Sequence, residues 1–115
     1  MTELLHITER SAWSAATSTG EYRLSTRGVT LEQEGFIHCS LPHQLRWVAE
    51  TFYADPGDLV VLVIDSDLVV APVRFEAPGP GADEFPHIYG PLPVAAVVRV
   101  IDVSRDAAGE FVLPY

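Results

Sequence analysis

The sequence predicts an α+β fold with a mainly antiparallel sheet and two or three short helices, formed as a single domain over residues 1–115. Three observations lead to this fold class. The unbroken apolar run 59–64 has the length and composition of a buried strand. Strand-like segments outnumber helical ones, and the sequence contains no internal repeat. One segment has the spacing of a helix with a single apolar face, at Leu45, Val48, Ala49 and Phe52.

The N-terminal residues predict a strand followed by a helix. Residues 4–8 alternate as a strand that places His6 and Thr8 on the same face. Thr8 is a residue type that caps helices, so we expect it to begin a helix over 9–17 that Gly20 ends.

The next segment predicts a second strand and a second helix. Residues 21–34 have mixed composition and predict a connecting segment with one helical turn before Gly35. A strand is expected over 36–40, and a helix runs from Pro42 to about residue 53. Alternation along this strand places three side chains on one face, namely Phe36, His38 and Ser40.

The C-terminal half predicts mainly extended structure. Three prolines push 85–93 away from helical geometry, because each disfavours the helical region for the residue before it. Pro and Gly place a turn at 55–58, directly before the apolar strand. Further strands are expected over 72–77, 94–103 and 111–113.

Composition excludes several function classes. The net charge is −9 and the seven cationic residues are scattered arginines, whereas nucleic-acid binding requires clustered Lys and Arg. Because lysine is absent, Schiff-base and P-loop chemistry are excluded. Gly-x-Gly-x-x-Gly and Gly-x-Ser-x-Gly are also absent, which excludes a Rossmann site and a hydrolase nucleophile elbow.

Location and membrane contact are predicted from the same features. A single cysteine favours a reducing compartment. The first residues lack the basic and apolar regions of a signal peptide, and the longest apolar run is too short for a membrane helix. We therefore expect a cytoplasmic protein with no membrane partner. No pattern in the sequence specifies an oligomeric state.

Two histidines lie in short apolar segments, GFIHCS at 35–40 and FPHIYG at 85–90. A surface loop rarely places Phe, Ile, Pro and Tyr around one imidazole, and a core strand rarely admits histidine without a partner. We therefore expect His38 and His87 to meet at one site, with Ser40 on the same strand face as His38. The histidines have no metal-binding spacing, so no metal site is predicted.

Larger segments carry a resemblance to a known family. They are GFIHCS, RFE at 74–76 and FPHIYGPL at 85–92, together with LHIT at 5–8 and Trp13. This pattern resembles a small bacterial family, domain of unknown function 952, over nearly the whole chain. The resemblance implies a split sheet similar to that of ADP-ribosyltransferases, which bind NAD in a cleft between two half-sheets without a Rossmann motif.

The resemblance also implies site residues. His6 and Thr8 are similar to the first-strand residues that hold NAD in those transferases, while His38 and Ser40 occupy the second strand. Glu76 corresponds to their late glutamate and would stabilise an oxocarbenium-like transition state. The implied catalytic residues are Glu76 and His38, and the implied ligand-binding residues are His6, Thr8, Ser40, His87 and Tyr89.

Three functions remain open from the sequence. The first is binding of NAD or an ADP-ribose-like nucleotide with cleavage or transfer of ADP-ribose, for which NAD is substrate and no cofactor is required. The second is a non-catalytic module that binds a ligand or a partner. The third is a two-histidine phosphoesterase, suggested by the pairs His6-x-Thr8 and His38-x-Ser40.

Overall fold

The computed structural model describes residues 2–54 and 57–115. In this part of the chain, three α-helices and twelve short strands are present. The helices are α1 (Arg10–Thr19), α2 (Leu31–Glu34) and α3 (Leu45–Phe52). The strands are β1 (Glu3–Glu9), β2 (Glu21–Tyr22), β3 (Leu24–Thr26), β4 (Val29–Thr30), β5 (Ile37–His38), β6 (Leu59–Asp65), β7 (Val73–Glu76), β8 (Phe85–Ile88), β9 (Leu92–Pro93), β10 (Val97–Asp102), β11 (Ser104–Arg105) and β12 (Phe111–Val112).

The main sheet has the antiparallel order β1-β6-β10, with the predicted apolar strand β6 in the middle. Alternate residues of β6 enter different hydrophobic clusters, with Val60 and Leu62 on one side and Val61 and Val63 on the other. The first cluster includes Ala16 of α1, and the second contains the apolar face of α3. Because both faces are covered, β6 needs no polar alternation, which explains its unbroken apolar sequence.

A smaller antiparallel sheet has the order β5-β8-β7. The chain enters it from α2, where the Thr30 hydroxyl accepts from Gln33 N and the Gln33 side chain accepts from Thr30 N. Gly35 ends α2 at a φ of 92°, a left-handed conformation that glycine adopts without strain, and turns the chain into β5. The small sheet therefore starts at a fixed position relative to α2.

One backbone bridge joins the segment directly after β5 to the main sheet. Leu5 N donates to Ser40 O at 2.8 Å, and Ser40 N donates to Leu5 O at 2.7 Å. Two residues earlier, His38 is paired with β8. A single extended segment thus contacts both sheets in succession, and this fixes the small sheet against β1.

The structure confirms an α+β fold with mostly antiparallel sheets and three short helices. Local predictions differ at several points. Thr8 does not cap α1, since it belongs to β1 and Glu9 holds the N-cap position. The segment 21–34 also contains three strands of two or three residues, too short to produce an alternation pattern. The segment expected as a strand over 94–103 begins with a 3₁₀ turn, Val94–Ala96.

Two further sequence predictions concern the turn before β6 and the length of the helices. The turn expected at 55–58 falls partly outside the described residues, which exclude Asp55 and Pro56. Of the helices within residues 2–54 and 57–115, none has both the length and the apolarity that a membrane span requires.

Candidate functional site

The candidate site lies on one face of the small sheet. In the ladder, His38 of β5 pairs with His87 of β8, and His87 pairs with Arg74 of β7. Directly paired residues in antiparallel strands project to the same side, so the three strands present their alternate residues together. The other side chains of this face come from the same segments, namely Phe36, Glu76, Phe85 and Tyr89.

The two histidine segments meet as the sequence predicted. The ring centroids of His38 and His87 are 5.2 Å apart. Phe36 stacks on His87 with a centroid distance of 3.9 Å and an angle of 11° between the planes. The opposite face of this sheet contributes Ile37 and Ile88 to the core. The alternation in GFIHCS and FPHIYG therefore separates core residues from site residues.

Glu76 connects His87 and Tyr89. His87 Nδ1 donates to Glu76 Oε1 at 2.9 Å, and the Tyr89 hydroxyl donates to the same oxygen. These hydrogen bonds, first from Tyr89 and then from His87, lower the pKa of Glu76, while the bond to the carboxylate raises the pKa of Tyr89. Glu76 is therefore an ionised carboxylate that orients an imidazole. With its proton at Nδ1, a neutral His87 presents Nε2 as an acceptor.

His38 stands beside this cluster as a neutral ring. Burial lowers the pKa of His38 to about 4, and repulsion by His87 contributes in the same direction. The ring also contacts Phe85, with centroids 5.2 Å apart, and Phe52, at 6.2 Å. Near neutral pH, His38 is consequently an uncharged polar ring in an aromatic environment.

Helix α3 and a loop complete a cleft over this face. The helix is positioned by Gln44, whose Nε2 donates to Glu84 O at 2.7 Å immediately before β8. It thereby places Trp47 and Phe52 opposite the small sheet. The resulting cavity has a volume of about 340 Å³ and is lined by Glu34, Phe36, His38, Trp47, Phe52, Pro78, Phe85 and His87.

Two further cavities adjoin the central one because they share its walls. One, of about 340 Å³, shares Trp47, Pro78 and Phe85 and is otherwise lined by His43, Gln44, Ala82 and Asp83. The other, of about 210 Å³, shares Glu34, Phe36, His38 and Phe52 and adds Ser25 and Thr26. We call these three cavities together the aromatic cleft.

The described charged residues that line the aromatic cleft are all negative. Glu34 and Asp83 are its charged lining residues among those the structure describes, and none of its described walls is an arginine. The chain has no lysine at any position. Arg74, which pairs with His87 on this sheet face, has its guanidinium over the Tyr89 ring at 4.9 Å from the ring centroid.

His6 and Thr8 lie in the interior, away from the walls of the aromatic cleft. His6 Nδ1 is 2.7 Å from His38 O, and Nε2 is 2.8 Å from the Tyr22 hydroxyl, which is 2.8 Å from Thr8 Oγ1. Because a carbonyl can only accept, Nδ1 carries the proton, and a neutral ring then accepts from Tyr22 at Nε2. Complete burial lowers the pKa of His6 to about 4, which fits this neutral state.

Ser40 is also separated from the cleft. Its backbone pairs with Leu5, its hydroxyl donates to Leu5 O at 3.4 Å, and 1% of the residue is exposed. The predicted alternation placed Ser40 with His38, but the segment leaves β8 after Cys39, whose N donates to Pro86 O, and Ser40 pairs with Leu5 of β1 instead. The structure thus brings together His38, Glu76, His87 and Tyr89, and it places His6, Thr8 and Ser40 elsewhere.

Trp47 and Phe52 are cleft residues that the sequence reasoning missed. Phe52 was assigned to the apolar face of the helix, yet it is 43% exposed because it lies at the C-terminal end, beyond the core contacts of Leu45, Val48 and Ala49. Trp47 is 52% exposed. A large aromatic residue outside the apolar stripe of a helix is the signal that could have identified it.

A metal centre has no support in the described residues, among which no three His, Cys, Asp or Glu side chains are grouped to hold an ion. The arrangement instead offers a carboxylate, two imidazoles and stacked aromatic walls. Such a site can bind a flat ligand and move a proton at His87 Nε2.

Comparison with known proteins places the chain in a family. The profile of the family described as protein of unknown function (DUF952) matches residues 7–100. The crystal structure of protein CC0527 from Caulobacter crescentus is similar, with a TM-score of 0.83 and 31% identity over 97% of this chain and 95% of that chain. Its solution NMR structure has a TM-score of 0.75 and 32% identity over 96% and 91%. No curated protein matches. The chain therefore belongs to the DUF952 family.

Proposed function

We propose that the aromatic cleft binds the nicotinamide-ribose part of NAD, or an ADP-ribose-like nucleotide, and that the protein cleaves the bond between ring and ribose. The observation that carries this proposal is His87 at the wall of an aromatic cavity, with its Nδ1 hydrogen-bonded to the Glu76 carboxylate. An ionised carboxylate and an oriented imidazole beside a flat apolar space suit N-glycoside cleavage, in which positive charge develops on a sugar.

The dimensions and walls of the cleft support binding of one end of a nucleotide. Its central cavity, about 340 Å³, lies near the lower limit of ligand pockets, which span about 300–1,000 Å³. A nicotinamide ring would stack among Phe36, Phe52 and Trp47. Its ribose would then lie at the wall formed by His87, whose Nδ1 is bonded to Glu76. The proposal also includes an ADP-ribosyltransferase-like arrangement, supported by two small antiparallel sheets that are joined by the Leu5–Ser40 bridge.

In the proposed reaction, the bond between ribose C1′ and the ring nitrogen breaks, and its electron pair leaves with nicotinamide. The ribose becomes an oxocarbenium ion, which Glu76 stabilises through Oε2, the oxygen not used by His87 Nδ1 and Tyr89. Water or an acceptor hydroxyl then attacks C1′, and His87 Nε2 takes the proton of this nucleophile. His38 contributes an uncharged hydrogen-bonding ring to the same wall.

A second candidate rests on the 5.2 Å distance between the His38 and His87 rings. Two adjacent imidazoles suit phosphoester cleavage, in which one acts as base and the other as acid. The pair predicted from sequence included His6, whose two ring nitrogens already bond to His38 O and Tyr22. His87 would therefore take its place. The absence of arginine from the described cleft walls makes phosphate the weaker ligand.

The test is nicotinamide release from NAD by the purified protein, beside a Glu76→Gln variant. We expect Glu76→Gln to lower the rate by about 100-fold, because the amide stabilises neither the developing charge nor the His87 proton. Glu84→Gln is the matched control: Glu84 is exposed just before β8, and we expect it to retain the full rate. A 2′,3′-cyclic nucleotide tests the phosphoesterase in parallel.

The outcomes are distinct. Binding of NAD without release of nicotinamide would remove the enzymatic part and leave a binding module. Equal rates in wild type and both variants would show that the turnover does not come from this site. Absence of both NAD binding and NAD consumption would overturn the proposed function.

A further inference from the structure

We propose that the aromatic cleft selects a small organic cation, whose charge lies on an N-alkylated ring or a quaternary nitrogen, and that phosphate groups add nothing to its affinity. This inference deepens the proposed function, on which it rests for the nicotinamide ligand. The nicotinamide ring of oxidised NAD is such a cation, whereas free nicotinamide and the dihydronicotinamide ring of NADH are neutral.

The first argument is the geometry of the rings at the cleft mouth. The Trp47 ring is 6.0 Å from the Phe52 ring at an interplanar angle of 84°, and 5.6 Å from the Phe85 ring at 38°. Phe36 contributes a further wall below them. Several aromatic rings grouped around one cavity can offer negative π faces to its contents, which is the arrangement that holds quaternary ammonium ligands.

The second argument is charge complementarity. Carboxylates stand at both ends of the cleft, Glu34 in the central cavity and Asp83 in the cavity beside it, while Glu76 lies behind His87. The described walls contain no arginine, and the whole chain has a net charge of −9. Such a field attracts a cation and repels a phosphate.

The third argument concerns the groups that would oppose a cation. His38 is kept uncharged by burial, so it does not repel a cation at neutral pH. Arg74 belongs to this sheet face, but its guanidinium lies over the Tyr89 ring and it is not among the cleft walls. A positively charged ligand in the central cavity therefore meets aromatic side chains and the Glu34 carboxylate.

The test measures ligand binding to the whole chain by calorimetry, with 1-methylnicotinamide as the cationic probe and nicotinamide as its neutral counterpart. We expect 1-methylnicotinamide to bind at least about tenfold more tightly. Nicotinamide riboside and NAD should bind within about threefold of each other, because the phosphates lie outside the cleft. ADP-ribose, which lacks the cationic ring, should bind at least about tenfold more weakly than NAD.

Two exposed phenylalanines provide matched variants. Phe52 is 43% exposed at the cleft, and Phe75 is 45% exposed on the other side of β7. Phe52→Ala should weaken 1-methylnicotinamide binding about tenfold, and Phe75→Ala should leave it unchanged. Phe52→Leu keeps apolar volume but removes the π face, so the same loss in this variant identifies the π contact even if Phe52→Ala folds poorly.

The outcomes separate this inference from the proposed function. Equal affinity for 1-methylnicotinamide and nicotinamide, or equal affinity for ADP-ribose and NAD, would overturn the cation selectivity while nucleotide binding could still stand. Binding of 1-methylnicotinamide without any binding or consumption of nucleotides would uphold the cation site and overturn the proposed function. A Phe52→Leu variant with unchanged affinity would also contradict the inference.

Discussion

His6 and His87 occupy networks that are similar in composition and different in use. The His6 ring contacts Tyr22 directly, and the His87 ring contacts Glu76, which is bonded to Tyr89. Both histidines are buried, with 2% of His6 and 8% of His87 exposed. Both ring nitrogens of His6 are bonded to the protein, one to His38 O and one to Tyr22. His87 uses Nδ1 for Glu76 and forms part of a cavity wall. Burial alone therefore does not separate a histidine whose two ring nitrogens are bonded to the protein from one that lines a cleft.

The difference between the two regions lies in hydrogen-bonding capacity that the protein has not used. The His6 network closes on itself through Tyr22 and Thr8, so a ligand could enter only by breaking it. The His87 network reaches the cleft at the His87 ring, which Glu76 orients, and Tyr89 donates in turn to the Glu76 carboxylate. Three predictions test this contrast in order of expected effect.

The largest effect is expected for His6→Ala. The change opens an internal space and leaves His38 O and the Tyr22 hydroxyl without their buried partner, so we expect a loss of about 3 kcal/mol in the free energy of unfolding. Urea denaturation measures it. His43→Ala, at an exposed histidine, is the control and should change stability by less than about 0.5 kcal/mol. A loss below about 1 kcal/mol for His6→Ala would contradict an integral role in the core.

The second effect is the pH dependence of stability. The pKa of buried His6 is lowered from 6.5 to about 4, so between these values the unfolded chain binds a proton that the folded chain does not. Stability is consequently full above pH 6.5 and falls as the pH drops to about 4, by about 3 kcal/mol from this residue. Urea midpoints at pH 7 and pH 4.5 measure the fall. The non-titrating variant His6→Gln should show a shallower dependence, and an unchanged slope would assign the effect to other groups.

The smallest effect is expected from a pair of tyrosine substitutions. Tyr22→Phe removes the hydroxyl that joins His6 Nε2 to Thr8 in the interior and should cost about 1.5 kcal/mol. Tyr89→Phe removes an equivalent hydroxyl from Glu76, where water can replace it, and should cost less. Thermal unfolding of both variants compares them. A greater loss for Tyr89→Phe would contradict the contrast between a closed interior network at Tyr22 and an accessible one at Tyr89.

The sequence predicted the convergence of His38 and His87 because strand alternation is a local property. In both segments the apolar neighbours Ile37 and Ile88 face the core, which fixes the histidines on the opposite side. The central position of β6 follows similarly from its unbroken apolar run. Such patterns predict the structure because burial of the apolar face of a strand fixes which residues lie on its other face.

The positions of His6, Thr8 and Ser40 could not be predicted in this way. Thr8 and His6 are held by Tyr22, which is fourteen residues from Thr8 along the chain. Ser40 is held by Leu5, thirty-five residues away. The change of strand partner between Cys39 and Ser40 leaves no mark in the alternation pattern. The walls formed by α3 likewise depend on its docking, to which the Gln44–Glu84 hydrogen bond contributes. Contacts between distant segments therefore set which polar residues reach the cleft.

The most direct measurement is NMR of the histidine side chains during titration with NAD and, separately, with 1-methylnicotinamide. The assignment of the aromatic cleft as the ligand site predicts that the imidazole signals of His38 and His87 shift with ligand concentration, while those of His6 remain unchanged. A shift confined to His6, or no shift in any of the three rings at saturating ligand, would contradict it.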